Sequence, residues 1–351
     1  MKTIKIKLIG FWDDYISELE KSPLFWAIKE HYHIEYSERP DYIICSCFEP
    51  FYEYLEYPQI RIMYSGENYI PDFNFIDYAI SSYPIHFFDR HFSFPQAFFL
   101  RDRCEGFTAE PRNFSLDDIR AKDYFANFIS GHESEYGIRG NFFKELCKYK
   151  KVESPGTYLN NRDSKEKFSY KSDNKIMFQH RCKFTLCFES TNHPGFFTEK
   201  ITDAFFADTI PVYYGATDVK RFFNERAFIN VGEYSNFEEA IQRIIELDNN
   251  EEEYLKMLNE PILKNNDIIR NLYNDLETFV CNIFDQPIES AYRRSRYFYP
   301  KRYEDFMIQR LNLHQYLYES AQTTLSGKEM ISILNKKLKT RIHNSLTHKS
   351  H

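Results

Sequence analysis

No stretch of this 351-residue chain approaches 18 consecutive apolar residues, and its start, MKTIKIKLIGFW, has no apolar core followed by a cleavage site. Neither a membrane span nor a secretory leader is expected, which points to the cytoplasm. Paired cysteines are missing as well. The seven present (Cys45, Cys47, Cys104, Cys147, Cys182, Cys187, Cys281) show no CxxC spacing, so neither a zinc site nor a disulfide framework is suggested. Reduced thiols are expected. Positive charge is in deficit, with a net charge of −7, which argues against a nucleic-acid binder with its usual basic face. The P-loop and GxGxxG phosphate cradles do not occur. Nor does Asp-x-Asp, the usual means of holding a sugar nucleotide through a divalent metal, so any nucleotide sugar here would have to be neutralised by protein groups alone.

Hydrophobic content of 42% and charged content of 28% fit a globular protein of one large or two ordinary domains. Aromatics are abundant, with 27 Tyr and 34 Phe. They suit stacking on sugar rings or bases, but an AT-rich coding sequence gives the same excess. Residues 3–10 alternate apolar and polar and read as a strand, followed by a helix across 15–30. Residues 41–47, 59–64 and 77–81 read as further strands. After a polar linker at 107–122, a second series begins with a strand at 124–130 and a helix at 138–151. A strand–helix–strand unit then runs from Lys183 to Gly215. This is an α/β pattern of two doubly wound domains, residues 1–115 and 116–290, with a tail from 291 to 351.

Three places carry candidate chemistry. Tyr64-Ser65-Gly66-Glu67-Asn68 puts a carboxylate just past a strand, where α/β sheets line their binding crevice. Glu67 there is placed to act as general base, although a loop glutamate is the commoner origin of a lone acid. In FFTEKITDAFF, Thr198 is a good N-cap for a helix starting Glu199-Lys200. Its free N–H groups suit an anion, and Lys200 adds a positive charge for phosphates. Glu199 would repel phosphate and suits a sugar hydroxyl, or else simply stabilises the first turn. Arg139, at the start of a helix, is placed to grip a pyrophosphate bidentately, or is a solvated arginine.

Cys187-Phe188-Glu189, Phe197 to Phe205 and Ile210 to Gly215 together resemble the signature of the α-1,3-fucosyltransferases, glycosyltransferase family 10, with the bacterial Helicobacter-type members nearest. The block from Tyr64 to Ile80 is similar to that family's N-terminal block. The resemblance implies a GT-B fold, two Rossmann-like domains facing across a cleft, and an inverting transfer of L-fucose from GDP-fucose with no metal needed for chemistry. It implies an acceptor of lactosamine type, fucosylated at the 3-hydroxyl of N-acetylglucosamine in a Lewis x-like glycan or lipopolysaccharide O-chain. By position, Glu67 matches the general base and Glu199 an acid steadying charge at the anomeric carbon. Arg139 and Lys200 match the cations on the pyrophosphate, with Ser190, Asn192, Phe196 and Thr198 completing the donor site.

Two departures stand out. The family's usual Asn after Cys-Phe-Glu is Ser190 here, with Asn192 two places on, and the seven-residue repeats common before the tail are missing. The tail itself places Ile331, Leu334, Leu338, Ile342 and Leu346 about one turn apart beside Lys336, Lys337, Lys339 and Arg341. That pattern reads either as a helix lying on an anionic membrane, a peripheral location on the inner face of the cytoplasmic membrane, or as one packing on its own domain. Other readings of the whole chain are a GT-B transferase with another donor or an α-1,4 linkage, and a catalytically silent GDP- or glycan-binding protein.

Overall fold

The alternation in Lys2–Ile9 buries Ile4, Ile6 and Ile9 and makes strand β1 an interior strand of a first parallel sheet. The computed structural model describes residues 1–48, 52–162, 168 and 173–322. After β1 come helices α1 (Asp13–Leu19) and α2 (Pro23–His31). The single helix expected over 15–30 is therefore two. Pro23 has no N–H to continue the earlier turn and instead occupies the start of a new helix. Strands β2 (Tyr32–Tyr36), β3 (Tyr42–Cys45), β4 (Ile60–Ser65), β5 (Tyr78–Ser81) and β6 (His91–Ser93) complete an all-parallel sheet of order β2-β1-β3-β4-β5-β6. β3, β4 and β5 are buried at every position, as strands covered on both faces must be.

Helices α3 (Arg101–Cys104) and α4 (Leu116–Arg120) lead across. The expected linker is pinned rather than loose. The Leu263 N–H donates to Thr108 O at 3.0 Å, the Arg112 N–H donates to Asn259 O at 2.8 Å, and α4 starts in a Ser115–Asp118 capping box. The second sheet follows as β7 (Tyr124–Asn127), α5 (Ile138–Cys147), β8 (Val152–Glu153), α6 (Asp173–His180), β9 (Cys182–Phe188), α7 (Glu199–Phe206), β10 (Ile210–Tyr214) and β11 (Ile229–Asn230). Its order is β11-β10-β9-β7-β8, again parallel. Helices α8 (Phe237–Asn249) and α9 (Glu251–Leu258) share its core through Ile244, Leu247, Tyr254 and Leu258.

Helix α10 (Ile268–Phe284) returns to the first sheet, although the sequence places it in the second domain. The Phe284 ring meets Tyr42 edge-on at 4.8 Å, and the Tyr32 hydroxyl donates to Asp285 at 2.7 Å. Helix α11 (Ile288–Ala291) follows, its last carbonyl accepting from the Tyr78 hydroxyl at 2.7 Å. Both sheets belong to one compact unit, residues 1–54 with 59–293; residues 55–58 and the chain from 294 form another. Helix α12 (Tyr299–Gln322) lies in that second unit, where Arg294 Nη2 donates to Pro58 O at 2.9 Å. The amphipathic stripe assigned to the tail lies outside the described residues. Among the described residues no helix is long and apolar enough to cross a membrane.

Helix α7 is the element that joins the two sheets. Ile201, Ala204 and Phe205 are buried in the core shared with the first sheet, worth about 1.5–3 kcal/mol for each large side chain. The Ala97 N–H donates to Phe197 O at 3.0 Å, and Thr202 Oγ1 donates to Ala97 O at 3.3 Å. Gly195 (φ +78°) brings the segment before α7 against the first half so closely that a Cβ there would sit 2.0 Å from Ser82 O. The two walls of the cleft are thus fixed to each other at the base of the site.

Candidate functional site

In both sheets the chain reverses its winding between two neighbouring strands, β1/β3 in the first and β7/β9 in the second. Loops at the carboxyl ends of strands diverge there and leave a crevice. The two crevices open into one cleft of about 800 Å³. Its first wall carries Trp12, Tyr15, Glu18, Phe48, Glu67 and Gln96; its second carries His132, Arg139, Ser190, Phe196, Thr198, Glu199 and Lys200. Seven of the eight candidate residues from the sequence meet in this cavity. Asn192 does not. It lines a neighbouring cavity of about 290 Å³ with Ser134, Tyr136, Ser190 and Tyr214.

The start of α7 is organised by a residue to which the sequence assigned no role. Glu189, 1% exposed, directly follows β9 and holds its neighbours in place. It accepts from the Thr198 N–H at 2.8 Å, the Thr198 hydroxyl at 2.9 Å and Lys200 Nζ at 2.9 Å. Gly215 permits this packing, since a Cβ there would lie 2.6 Å from Glu189 Cγ. Thr198 caps α7 as expected, accepting from the Lys200 N–H at 3.5 Å and from Lys200 Nζ at 2.8 Å. Two of the three ammonium hydrogens are therefore committed to the protein, and one remains for a ligand. Burial works against the Lys200 charge, but Glu189 and Glu199 outweigh it and raise the ammonium pKa.

Arg139 is not the two-pronged clamp expected. It is 2% exposed, with Nε donating to Phe188 O at 2.9 Å and Nη1 to Ser130 Oγ at 3.2 Å and His132 O at 3.1 Å. The end of β9 and the loop after β7 supply these acceptors, so the guanidinium is locked before any ligand arrives. Among the described residues Nη2 has no partner, which leaves one nitrogen with two hydrogens for an anion.

Glu67 and Glu199 are set apart by their surroundings. Loss of hydration disfavours the charge of Glu199, but Lys200 and Lys175 more than compensate and hold its carboxyl below the usual range. Glu67, on the loop after β4, is anchored through its backbone, its N–H donating to Ser65 Oγ at 3.1 Å and its carbonyl accepting from the Tyr69 N–H at 2.8 Å. Loss of hydration pushes its carboxyl upward; Lys200 pulls it back, and Glu199 and Glu189 add to the rise. One carboxylate is kept charged and the other is poised to take a proton, the separation expected of distinct roles.

Beneath α7, Lys175 of α6 donates to Asp203 Oδ2 at 2.7 Å and stands 3.9 Å from Glu199 Oε1. Its side chain is 5% exposed and that of Asp203 1%. Lys175→Met is expected to destabilise the chain by about 3–5 kcal/mol, because it leaves a buried carboxylate unpaired. A second change, Asp203→Asn, should recover most of that loss in denaturant unfolding. The sequence offered no signal for this pair, whose members lie on different helices. Among the described residues no three His, Cys, Asp or Glu side chains converge as metal ligands.

Comparisons with known proteins match both halves of the chain. The model for the C-terminal part of glycosyltransferase family 10 (fucosyltransferase) matches residues 119–282. The model for the N-terminal domain of α-(1,3)-fucosyltransferase FucT matches residues 6–100. The chain is 30% identical over 308 residues to the α-(1,3)-fucosyltransferase FucT of Helicobacter pylori, covering 78% of this chain and 63% of that one. It thus spans less than two thirds of that relative's length. A crystal structure of an α1,3-fucosyltransferase superposes with a TM-score of 0.71 at 27% identity, covering 85% of this chain and 93% of the other. A crystal structure of an α1,3-fucosyltransferase with GDP-fucose gives 0.61 at 26% identity, covering 79% and 91%.

Proposed function

Since the chain belongs to glycosyltransferase family 10, the fucosyltransferases, we propose that it transfers L-fucose from GDP-fucose to the 3-hydroxyl of N-acetylglucosamine in a lactosamine-type acceptor, with inversion. The observation that carries this reading is the division of the cleft. In the first-half wall Glu67 is poised to accept a proton, while Arg139, Lys200 and an ionised Glu199 stand in the second.

The acceptor hydroxyl gives its proton to the Glu67 carboxylate as its oxygen bonds to the anomeric carbon. On the opposite face the bond from that carbon to the diphosphate breaks, and its electron pair leaves with GDP. Arg139 Nη2 and the remaining Lys200 hydrogen meet the charge gathering on the diphosphate. Both are preorganised, so little rearrangement is needed during reaction. Glu199 steadies the positive charge developing at the sugar carbon. No metal is required in this scheme, because the protein's own cations neutralise the leaving group.

The test is GDP release against a panel of nucleotide sugars and acceptors, assayed in a chelator. GDP-fucose with N-acetyllactosamine should give the fastest turnover. Preference for another donor would establish a different transferase, and GDP binding without turnover on any acceptor would make the chain a binding protein.

The same scheme sets the pH dependence. Glu67 must be ionised to act, and its pKa lies above the usual carboxylate value. Turnover should therefore fall on acidification, and at a higher pH than an ordinary glutamate would give. A pH profile of kcat/KM for the acceptor checks this; a profile flat down to the usual carboxylate range would remove Glu67 from the role.

A further inference from the structure

The first wall of the cleft holds a feature that the transfer step does not use. Trp12 sits between β1 and α1 and is 57% exposed, a large indole left in water beside Glu67. It is nonetheless not loose. One face is stacked on the Phe48 ring at 4.6 Å with 26° between the planes, which leaves the other face to the cleft. Trp12, Tyr15 and Glu18 are three residues apart, a spacing that puts them along one side of α1. All three line the cavity. Tyr15 is held in turn by stacking on Phe11, at 6.3 Å and 8°.

From this arrangement we infer that Trp12 is the platform on which the acceptor sugar rests, a hexopyranose ring of a neutral oligosaccharide stacking on the open indole face. This rests on the glycosyl-transfer reading above and adds to it the surface that recognises the acceptor. The chemistry favours a sugar over the alternatives. A pyranose presents polarised C–H groups on one face, which are attracted to the negative face of an aromatic ring. Its hydroxyls, on the ring edge, need acceptors and donors beside that platform, and Glu18 and Gln96 are both in the wall. A diphosphate would instead meet carboxylates there, while the cations of this cleft stand in the other wall. Because Phe48 fixes the indole in advance, stacking costs little side-chain entropy.

The sequence supplies a direct readout, since Trp12 and Trp26 are its only tryptophans. Trp26 lies on α2, edge-on to Tyr273 at 6.1 Å and under the Arg101 guanidinium, and does not line the cleft. In a Trp26→Phe chain, titration with N-acetyllactosamine should change the Trp12 fluorescence saturably, and GDP alone should leave it nearly unchanged. In steady state, Trp12→Ala should raise the acceptor KM about tenfold or more, the size of a stacking contact on an aromatic face. The KM for GDP-fucose and the acceptor-free hydrolysis of GDP-fucose should stay at their wild-type values, and Trp12→Phe should recover most of the loss.

An unchanged acceptor KM in Trp12→Ala, or a Trp12 signal that saturates with GDP and not with the disaccharide, would overturn the assignment. So would an equal loss for donor hydrolysis and transfer together with a lowered Tm, which marks a structural role. The two readings fail separately. A saturable disaccharide signal in a chain that does not use GDP-fucose keeps the platform and sinks the donor. Normal transfer by Trp12→Ala at the wild-type acceptor KM does the reverse.

Discussion

Replacing Glu67 with Gln is expected to lower kcat by about 10²–10⁴-fold, the usual size of a positioned general base, while GDP binds as before. The substitution keeps the shape of the side chain and leaves the Glu67 N–H to Ser65 contact available, so the loop after β4 should hold its path. It removes only the site that receives the acceptor proton. The carboxylates whose charge bears on Glu67, Glu199 and Glu189, are not substitutes. Glu199 is held ionised by Lys200 and Lys175 on the opposite wall, and Glu189 is buried under Thr198 and Lys200. Calorimetry with GDP and single-turnover transfer, measured on the same preparation, separate binding from chemistry. A mutant that transfers at the wild-type rate would show that the proton leaves by another route.

Lys200→Met is expected to have two effects, which can be told apart. Loss of a charged hydrogen bond to the diphosphate should weaken GDP binding by about 10–100-fold, from roughly 1.5–3 kcal/mol. The same change also strips Glu189 of its only cationic hydrogen-bond partner among the described residues, leaving it the Thr198 N–H and hydroxyl. A carboxylate buried this deeply and left without its counter-charge should cost about 3–5 kcal/mol of stability. Adding Glu189→Gln removes the uncompensated charge, so the double variant should regain stability in denaturant unfolding but not GDP affinity. Recovery of both together would mean that Lys200 acts only by holding the start of α7 in place.

Much of this site is visible in the sequence because it sits at the ends of strands. The alternation of TIKIKLI and the apolar runs before Glu67 and Glu189 mark β1, β4 and β9, and the residues just beyond them face the cleft. Thr198 as cap of α7 is equally legible, since capping is local chemistry. Other features depend on partners distant in sequence. Arg139 is readable as a cation, but its lock onto Phe188, Ser130 and His132 is made by β7 and β9 meeting, and no spacing announces it. The same holds for Lys175 under Glu199 and for α10, whose apolar face gives no hint that it crosses back to the first sheet.

Some misses were local. β2, YHIEY, has one buried and one half-buried position and follows α2 with no turn residue between, so it carries little strand signal. The break at Pro23 was there to be read, but the apolar spacing on either side of it continues smoothly enough to pass for one helix. Asn192, two places beyond Ser190 and expected in the donor site, lines the smaller cavity, which Ser190 also lines.

The proposed transfer is put to its plainest test by incubating the chain with GDP-fucose and N-acetyllactosamine in a chelator and reading the product by NMR. One new α-L-fucosyl residue is expected on the 3-hydroxyl of N-acetylglucosamine, formed with inversion of the β-linked donor. Fucose at another hydroxyl, retention of the donor configuration, or no product while GDP still binds would contradict it.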